Sequence, residues 1–425
     1  MAKKISIKAT LSPKLRFPEF RKSAGWKATL LSSVLYEHRL KSDGKSEVHS
    51  VSLTKGVVSQ LEHLGRSYSA ADTSHYSLVK PFDVIYTKSP LAKFKLGIVK
   101  QHRGPHNAIV SPLYGVFSPV NSNVGQLIEA YFDSPSRSLR YLEPLAQKGA
   151  KNTIQISNEK FLSGEIVLPY QEPEQQKIAA CLTSLDGLIA FQARKVDALK
   201  NYKKGLMQLL FPQEGETQPR LRFPDFQNSS QWTFVLLKEL LTEHGLESDG
   251  KCEVHSVSVN KGVVNQKEHL GRSFAAADTS HYKLAKPYDV IYTKSPTGEF
   301  PLGVVKHNQL GFNVIVSPLY GVFSPENRWL GYILDAYFES PVRTTNYLSS
   351  ITQKGAKNTI QISNQTFLSK GLYLPSDPAE QQKIAECLSS VGDLIATHAQ
   401  KLDALNTHKA GLMQRLFPTL EEFEV

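Results

Sequence analysis

Two kinds of hydrophobic pattern alternate along the chain. Residues 13–170 contain short apolar runs, such as Val84-Ile85-Tyr86 and Ala108-Ile109-Val110, that are separated by Gly, Pro, Asn and Ser. Runs of β-branched and aromatic residues between turn residues are typical of strands. In residues 173–211 the apolar side chains instead recur at alternating steps of four and three, which predicts a long amphipathic helix. Proline and acidic residues at its start are typical of helix N-termini.

The whole pattern repeats 206 residues later, with a strand-rich part at 219–376 and a helical part at 379–417. Residues 111–119 return unchanged as 317–325, and residues 147–158 return unchanged as 353–364. The offset is constant from 15 to 212, so the copies align without a gap. A repeat of this size corresponds to two whole domains, not to a solenoid unit. We therefore predict an α+β fold, with two similar β-rich mixed α/β domains joined by two long helices in a pseudo-two-fold repeat.

The predicted boundaries follow the change from one pattern to the other. The first β-rich domain is residues 1–170, its helix 171–212, the second domain 213–376, its helix 377–418, and 419–425 is an acidic tail. Within the first domain we expect helices at 30–36 and 125–132, the second of them ended by Pro135. Strands are expected at 48–52, 83–87, 96–99, 108–110, 116–117 and 164–168.

The two long helices present the same narrow apolar seam, with eight of ten seam positions apolar in each. Such a seam predicts that the helices pair as an antiparallel coiled coil. The alternative is that each helix packs on its own domain as a surface helix. The polar seam positions also match, Gln192 with His398 and Lys203 with Lys409, and we expect them to fix the alignment. The predicted apolar seam residues are Ile178, Leu182, Leu185, Ile189, Val196, Leu199, Leu206 and Leu210, then Ile384, Leu388, Val391, Ile395, Leu402, Leu405, Leu412 and Leu416.

Charge and cysteine content narrow the class of protein. The net charge of +11 favours a polyanionic partner, with nucleic acid ahead of an anionic membrane. The three cysteines form no CxxC motif, which suits a cytoplasmic protein without structural disulfides. The apolar runs are too short to span a bilayer, and the first residues lack the apolar stretch of a signal peptide.

Motifs for catalysis are missing from the sequence. It contains no P-loop, no dinucleotide fingerprint and no amino-methyltransferase signature. Asp83 and Lys88 resemble nuclease residues only faintly, because Tyr86 stands where a second acid is needed. His75 lies beside Asp72 in a polar cluster that is more often a hydrogen-bonded turn than a catalytic site. A self-contained nuclease or methyltransferase is therefore disfavoured.

The repeated basic and polar residues suit binding to nucleic acid. The stretch QKGAKN at 147–152 combines lysines with glycine, so it can approach phosphates and base edges closely. Any one of these residues could instead belong to a solvated loop, but the whole set occurs twice. The candidate DNA-binding residues are Arg66, Lys80, Lys88, Lys148, Lys151 and Asn152, then Arg272, Lys286, Lys294, Lys354, Lys357 and Asn358.

Taken together, these segments resemble the specificity subunit (HsdS) of type I restriction–modification systems over about residues 13–418. The segments that carry the resemblance occur twice in the same order. They are PKLRFPEF at 13–20 followed by Trp26, QKGAKNTIQIS at 147–157, LPYQEPEQQKIAACLTSLDGLI with its mate LPSDPAEQQKIAECLSSVGDLI, and KGLMQLLFP at 204–212.

The resemblance implies two target-recognition domains, each reading half of a split site in double-stranded DNA. It also implies helices that set the spacer and carry two methyltransferase (M) subunits, joined by restriction (R) subunits. The chain would be cytoplasmic, away from membranes, and non-catalytic. It would hold no cofactor and no metal, because S-adenosylmethionine, ATP and Mg²⁺ would be bound by the partner subunits. The alternative is a DNA- or protein-binding scaffold of another defence system, with no restriction role.

One departure from the family pattern leads to a hypothesis. Residues 64–90 and 270–296 differ at only five positions, whereas the two recognition domains in this family are usually unlike. Similar contact loops under a two-fold axis read similar sequences on opposite strands. We therefore expect a bipartite near-palindrome. The copies diverge at 91–95 against 297–301 and at 100–106 against 306–312, where any half-site difference should originate.

Overall fold

The computed structural model describes residues 11–148, 154–248, 250–272, 275–276, 278–354 and 360–418. It divides into two compact units. The first is Met1–Phe191 with Leu402–Val425, and the second is Gln192–Lys401. The division passes through both long helices, so each unit contains the start of one helix and the end of the other. Because these units group residues by contact and not by repeat, the domain boundaries given above stay predictions.

The first unit contains twelve short strands and four short helices among the residues that the structure describes. Its helices are α1 (Gln60–Leu64), α2 (Ser122–Phe132), α3 (Pro135–Leu142) and α4 (Asn158–Leu162), and the first long helix is α5 (Glu172–Leu210). Its strands are β1 (Lys27–Leu30), β2 (Leu35–Tyr36), β3 (Glu47–Ser52), β4 (Gly56–Ser59), β5 (Ser77–Val79), β6 (Val84–Tyr86), β7 (Val99–Gln101), β8 (Ala108–Val110), β9 (Gly115–Pro119), β10 (Gln147–Lys148), β11 (Ile154–Gln155) and β12 (Glu165–Leu168).

Two four-stranded sheets form the centre of this unit, in the orders β4-β3-β8-β5 and β2-β9-β6-β7. All pairings are antiparallel except β3 with β8, which is parallel. The central strands β6 and β8 are buried at every residue, in agreement with their continuous apolar sequences. Helix α2 covers β7 and β9, and Trp26, Phe117, Phe132 and Phe161 lie at the centre of the core.

The second unit repeats this order of elements with one difference in its sheets. Its strands are β13 (Thr233–Leu236), β14 (Leu241–Glu243), β15 (His255–Ser258), β16 (Gly262–Asn265), β17 (Lys283–Ala285), β18 (Val290–Tyr292), β19 (Val305–His307), β20 (Val314–Val316), β21 (Gly321–Pro325), β22 (Gln353–Lys354), β23 (Ile360–Gln361) and β24 (Gly371–Leu374). Its helices are α6 (Leu237–Leu240), α7 (Gln266–Leu270), α8 (Arg328–Phe338), α9 (Pro341–Ser349) and α10 (Asn364–Leu368), and the second long helix is α11 (Pro378–Leu416). The sheet β14-β21-β18-β19 is four-stranded, but β15-β16 and β17-β20 form two-stranded sheets that are linked by a bridge between Val254 and Ile315. The predicted α+β class and long helices are confirmed.

The prediction of a helix at 30–36 was wrong. The segment contains only one 3-10 turn, Leu31–Ser33, and then becomes β2, which pairs with β9 at Leu35↔Pro119. Tertiary pairing therefore outweighs local sequence preference here. The expected strand at 96–99 starts only at Val99, because Gly97 has a left-handed φ of 101°. Pro135 begins α3 and does not end α2, which stops at Phe132.

The seam side chains of both long helices are buried or half-buried, and most of the other helix positions are exposed. In the first unit, Ile178 and Leu182 share one core with Met413 and Leu416 from the end of α11. In the second unit, Ile384, Ala385 and Leu388 likewise share a core with Met207 and Leu210 from the end of α5. Inside each unit the start of one helix therefore packs beside the end of the other. A continuous coiled coil stays a prediction. Among the described residues, no helix is long and apolar enough to cross a membrane.

Candidate nucleic-acid interface

Strand register brings four loops of the first unit to one edge of its sheets. Tyr86 pairs with Val99 and Gly115, while Val110 pairs with Ser77, so the loops that adjoin these residues lie together. We call this surface the Lys88 edge and define it as residues 53–55, 74–76, 87–98 and 111–114. Matching pairings, with the Val254–Ile315 bridge in place of the β3–β8 pairing, form the Lys294 edge in the second unit from residues 259–261, 280–282, 293–304 and 317–320.

Lys88 and Lys294 are held in an uncommon backbone conformation, with φ of 60° and 58°. Gly97 packs so closely on Lys88 that a Cβ there would lie 2.7 Å from the Lys88 amide nitrogen. Left-handed non-glycine residues carry strain and are often found at functional sites. Burial lowers the pKa of the Lys88 ammonium, and the carboxylate of Glu37 opposes this shift. A half-buried cation under such strain, at an exposed edge, is well placed to bind an anion.

The other candidate residues are more scattered. Arg66 is exposed, donates to the Tyr68 hydroxyl over 2.7 Å and stacks on its ring, and Arg272 is also exposed. Lys80 and Lys286 are exposed but precede β6 and β18, so they lie at the opposite edge from Lys88 and Lys294. Of the remaining candidates, Lys148 ends β10 and Lys354 ends β22. Lys151, Asn152, Lys357 and Asn358 lie outside the described residues.

The divergent loops are also separated by the fold. Residues 91–95 belong to the Lys88 edge, whereas 100–106 continue β7 towards the opposite edge. Lys100 and His102 are buried, and the Lys100 ammonium pairs with Asp133 at 2.5 Å. Because 100–106 leads away from the Lys88 edge, 91–95 is the better candidate for any difference between the Lys88 and Lys294 edges.

Sequence reasoning missed a tight turn on each edge, Ser111–Tyr114 and its mate 317–320. The Ser111 carbonyl accepts from the Tyr114 amide at 3.1 Å, and its hydroxyl accepts from the Leu113 amide at 3.3 Å. Leu113 is 74% exposed and Leu319 is 75% exposed. The signal that could have found the turn is the unchanged return of all nine residues of 111–119.

The carboxylate of Asp83, considered above as a nuclease residue, serves the fold. It accepts hydrogen bonds from the Ser118 hydroxyl at 2.6 Å and the Lys80 amide at 2.7 Å, and it pairs with His38 at 2.9 Å. Asp289 repeats this set in the second unit. A buried carboxylate with three such partners holds this turn, as expected for a buried polar group in a folded protein.

The opening motif of each copy also has a structural role that the sequence did not reveal. Arg16 donates twice to Glu174, over 2.7 Å each, and the Trp26 indole donates to the same carboxylate at 3.1 Å. Arg222, Trp232 and Glu380 repeat this cluster with the same distances. Since each glutamate lies in the first turn of a long helix, the cluster locks the start of each unit's domain to its helix.

The polar seam residues have partners. Gln192 donates to the His398 carbonyl at 2.8 Å, and its amide also lies 2.8 Å from the His398 ring. The Lys409 ammonium pairs with Asp186 on α5 at 2.7 Å, whereas Lys203 pairs with Glu339 at 2.7 Å. Gln192–His398 and Lys409–Asp186 join the two helices, as polar residues that fix alignment should, while Lys203 instead ties α5 to the end of α8.

Residues 287–407 match the family model of the type I restriction modification DNA specificity domain. No curated protein matches the chain. Among solved structures, the chain is similar to a type I restriction–modification S subunit from M. genitalium, with a TM-score of 0.60, 12% identity, and coverage of 96% of this chain and 100% of that one.

Two further structures are more distant. An HsdS subunit from Thermoanaerobacter tengcongensis gives a TM-score of 0.37 at 14% identity, covering 92% of this chain and 95% of that one. A chain from a study of type I R-M complex assembly gives 0.47 at 14% identity, covering 92% and 97%.

The matched family model describes a domain for DNA specificity. The match covers most of the second unit's sheets and most of α11, and the first unit repeats the same elements 206 residues earlier. The second repeat therefore contains the match to the type I restriction modification DNA specificity domain, and the chain as a whole shares the fold of the type I S subunit from M. genitalium.

Proposed function

We propose that this chain is the sequence-specific DNA-recognition subunit of a type I restriction–modification complex. It reads a bipartite, near-palindromic site in double-stranded DNA through the Lys88 and Lys294 edges. Its helices carry two methyltransferase subunits, which restriction subunits join. S-adenosylmethionine, ATP and Mg²⁺ belong to those partners.

One observation carries the proposal, namely that an exposed surface is kept in both copies. Residues 64–75, the last two of which lie on the Lys88 edge, are mostly exposed in the first unit, and the two copies differ there at only two positions, 68 and 69. Exposed residues away from binding sites tolerate substitution with little cost in stability. The exposed face of the helices shows such change, with Phe191 against Thr397 and Tyr202 against His408. Retention at the surface therefore supports a shared ligand, and two equal surfaces suit two similar DNA half-sites.

The deciding experiment is co-expression with the adjacent methyltransferase, followed by mapping of methylated adenines. We expect two similar, inverted half-sites separated by a fixed spacer. Two unrelated half-sites would overturn the near-palindrome. Absence of sequence-specific methylation, together with absence of specific duplex binding, would favour the scaffold alternative. If the two half-sites differ, exchanging residues 91–95 with 297–301 should exchange the sequences that the two units read.

The role of the helices in setting the spacer has its own test. Residues 189–195 and 395–401 are matched heptads, and each contains one partner of the Gln192–His398 contact. Deleting both removes about 10 Å of rise, which is about three base pairs. We expect methylation mapping to show a spacer shorter by about that amount with unchanged half-sites. An unchanged spacer with an altered half-site would contradict the role of the helices as a ruler.

A further inference from the structure

Many exposed apolar residues of one copy are polar at the matching position of the other copy. Leu61 corresponds to Lys267, for example, and Val120 corresponds to Glu326. Leu113 and Leu319 are the most exposed pair that is kept, at 74% and 75%. A single exposed leucine is unremarkable in a soluble protein. A leucine that stays this exposed in both copies, within nine unchanged residues, indicates a contact with a ligand.

The leucine is presented on a rigid support. Ser111 closes the turn with two hydrogen bonds, and Pro112 fixes one backbone dihedral within it. Gly115, which follows the turn, has no room for a side chain, since a Cβ would lie 2.7 Å from both Phe117 and Asn158. A side chain on such a turn loses little conformational freedom on binding, which favours specific contact.

The residues around the turn indicate the chemistry of the ligand that Leu113 contacts. It lies on the same edge as the half-buried Lys88, because Gly115 pairs with Tyr86 two residues before that lysine. Lys93 and Lys95 lie in the neighbouring loop of the first unit, and Lys55 and Lys261 are on the matching loops of both units. Cations beside an exposed apolar side chain fit a ligand that carries phosphates around an apolar group. In the grooves of duplex DNA, the 5-methyl group of thymine is such an apolar group.

We propose that Leu113 and Leu319 each contact the 5-methyl group of one thymine, at the same position in the two half-sites. The proposal rests on the proposed function and adds the base and the atom that each turn recognises. It also explains why the leucine is the same in both copies, since similar half-sites place a thymine at matching positions.

The test uses the complex of the full chain with its methyltransferase and the duplex defined by methylation mapping. Each thymine is replaced in turn by uracil, which removes only the methyl group. For the wild-type complex we expect one position in each half-site where uracil weakens binding about fourfold, the worth of one buried methyl group. Leu113→Ala should weaken binding of the thymine duplex about tenfold and abolish the uracil effect in one half-site only. Leu319→Ala should do the same in the other.

Leu61→Ala is the matched control, because Leu61 is 56% exposed and its mate is already a lysine. It should leave both affinity and uracil sensitivity unchanged. The proposal is overturned if no thymine is sensitive to uracil, or if the sensitivity persists in Leu113→Ala. Loss of methyltransferase co-purification in Leu113→Ala, with uracil sensitivity intact, would assign the turn to a protein contact. Failure of the proposed function would be seen earlier, as absence of specific binding by the wild-type complex.

Discussion

Beneath α2 of the first unit, Lys100 pairs with Asp133 and Glu129, and Arg103 joins Glu129 to Asp186 on α5. At the same place in the second unit, the network is reduced to Asp335, which binds Lys306 at 2.9 Å and His307 at 2.7 Å. Apart from the lysine, these groups differ between the copies, with Glu129 against Asp335 and Arg103 against Gln309, while the exposed residues 64–75 differ at only two positions.

This contrast reverses the usual expectation for a folded protein. Buried polar groups are normally costly to change, because each must keep a partner, whereas exposed loops change freely. Here the buried charged groups have partners in both units, but the sets of partners differ. The exposed surface that both copies share is therefore under a constraint that folding does not impose, and the proposed recognition of two similar half-sites would supply such a constraint.

The largest loss of stability is expected at the buried arginine–glutamate cluster that both units share. Glu174→Ala would leave Arg16 buried without its carboxylate, and Glu380→Ala would do the same to Arg222. Breaking a buried ion pair in this way costs about 3–5 kcal/mol. Because the Arg16 side chain is 5% exposed and that of Arg222 is 14% exposed, we expect Glu174→Ala to be the more damaging. Urea unfolding of both variants measures the difference.

Lys177→Ala is the control for this prediction, since its pair with Glu19 is about half exposed on both sides. Such a surface pair is worth about 0–1 kcal/mol. A loss below about 1 kcal/mol for Glu174→Ala would show that the cluster does not lock the domain to its helix.

The buried charge networks beneath α2 and α8 differ, so we expect matching substitutions in them to destabilise the protein by different amounts. Asp335→Asn removes the carboxylate shared by Lys306 and His307, and we expect a loss of about 1–3 kcal/mol in urea unfolding at neutral pH. Glu129→Gln should cost less, because Lys100 keeps Asp133 and Arg103 keeps Asp186. Equal losses in the two variants would mean that the larger network gives no protection.

The loss of stability caused by Asp335→Asn should depend on pH. Burial opposes ionisation of Asp335, but the charge of Lys306 and the hydrogen bond from His307 outweigh it and hold its pKa well below the usual range. Its ionised form therefore contributes stability above the unfolded pKa of about 3.9, and this is lost as pH falls through the folded pKa. The penalty of Asp335→Asn should be level from about pH 7 to 5 and shrink below about pH 4. A penalty that already shrinks between about pH 6 and 5 would contradict the lowered pKa.

The smallest change in stability, but a clear change in binding, is expected at the two edges. Lys88→Asn with Lys294→Asn keeps a residue type that tolerates left-handed φ and removes both cations. We expect an unchanged unfolding midpoint, weaker DNA binding, and a slope of log affinity against log salt that is shallower by about 2. Lys80→Asn with Lys286→Asn, at the opposite edge, should leave the slope unchanged. If that pair instead changes it, the wrong edge has been assigned to DNA.

The sequence predicts the elements whose signals are local. The heptad seam places the long helices within one or two residues of Glu172–Leu210 and Pro378–Leu416, and alternating turn residues find most of the strands. It does not reveal the cluster of Arg16, Trp26 and Glu174, because its members are up to 158 residues apart in the chain. Nor does it show which loops share an edge, since that depends on register. Lys80 and Lys88 look equivalent as sequence and are placed at opposite ends of one strand.

The division of the chain into units also determines the order in which it can fold during synthesis. The second unit is continuous, Gln192–Lys401, whereas the first is completed only by Leu402–Val425. At about 5–20 residues per second, a ribosome needs about 10–40 s to make the segment between the two pieces of the first unit. Throughout that interval Ile178 and Leu182 lack the core contacts that Met413 and Leu416 later provide. The half of the protein that is made first is therefore the half that matures last.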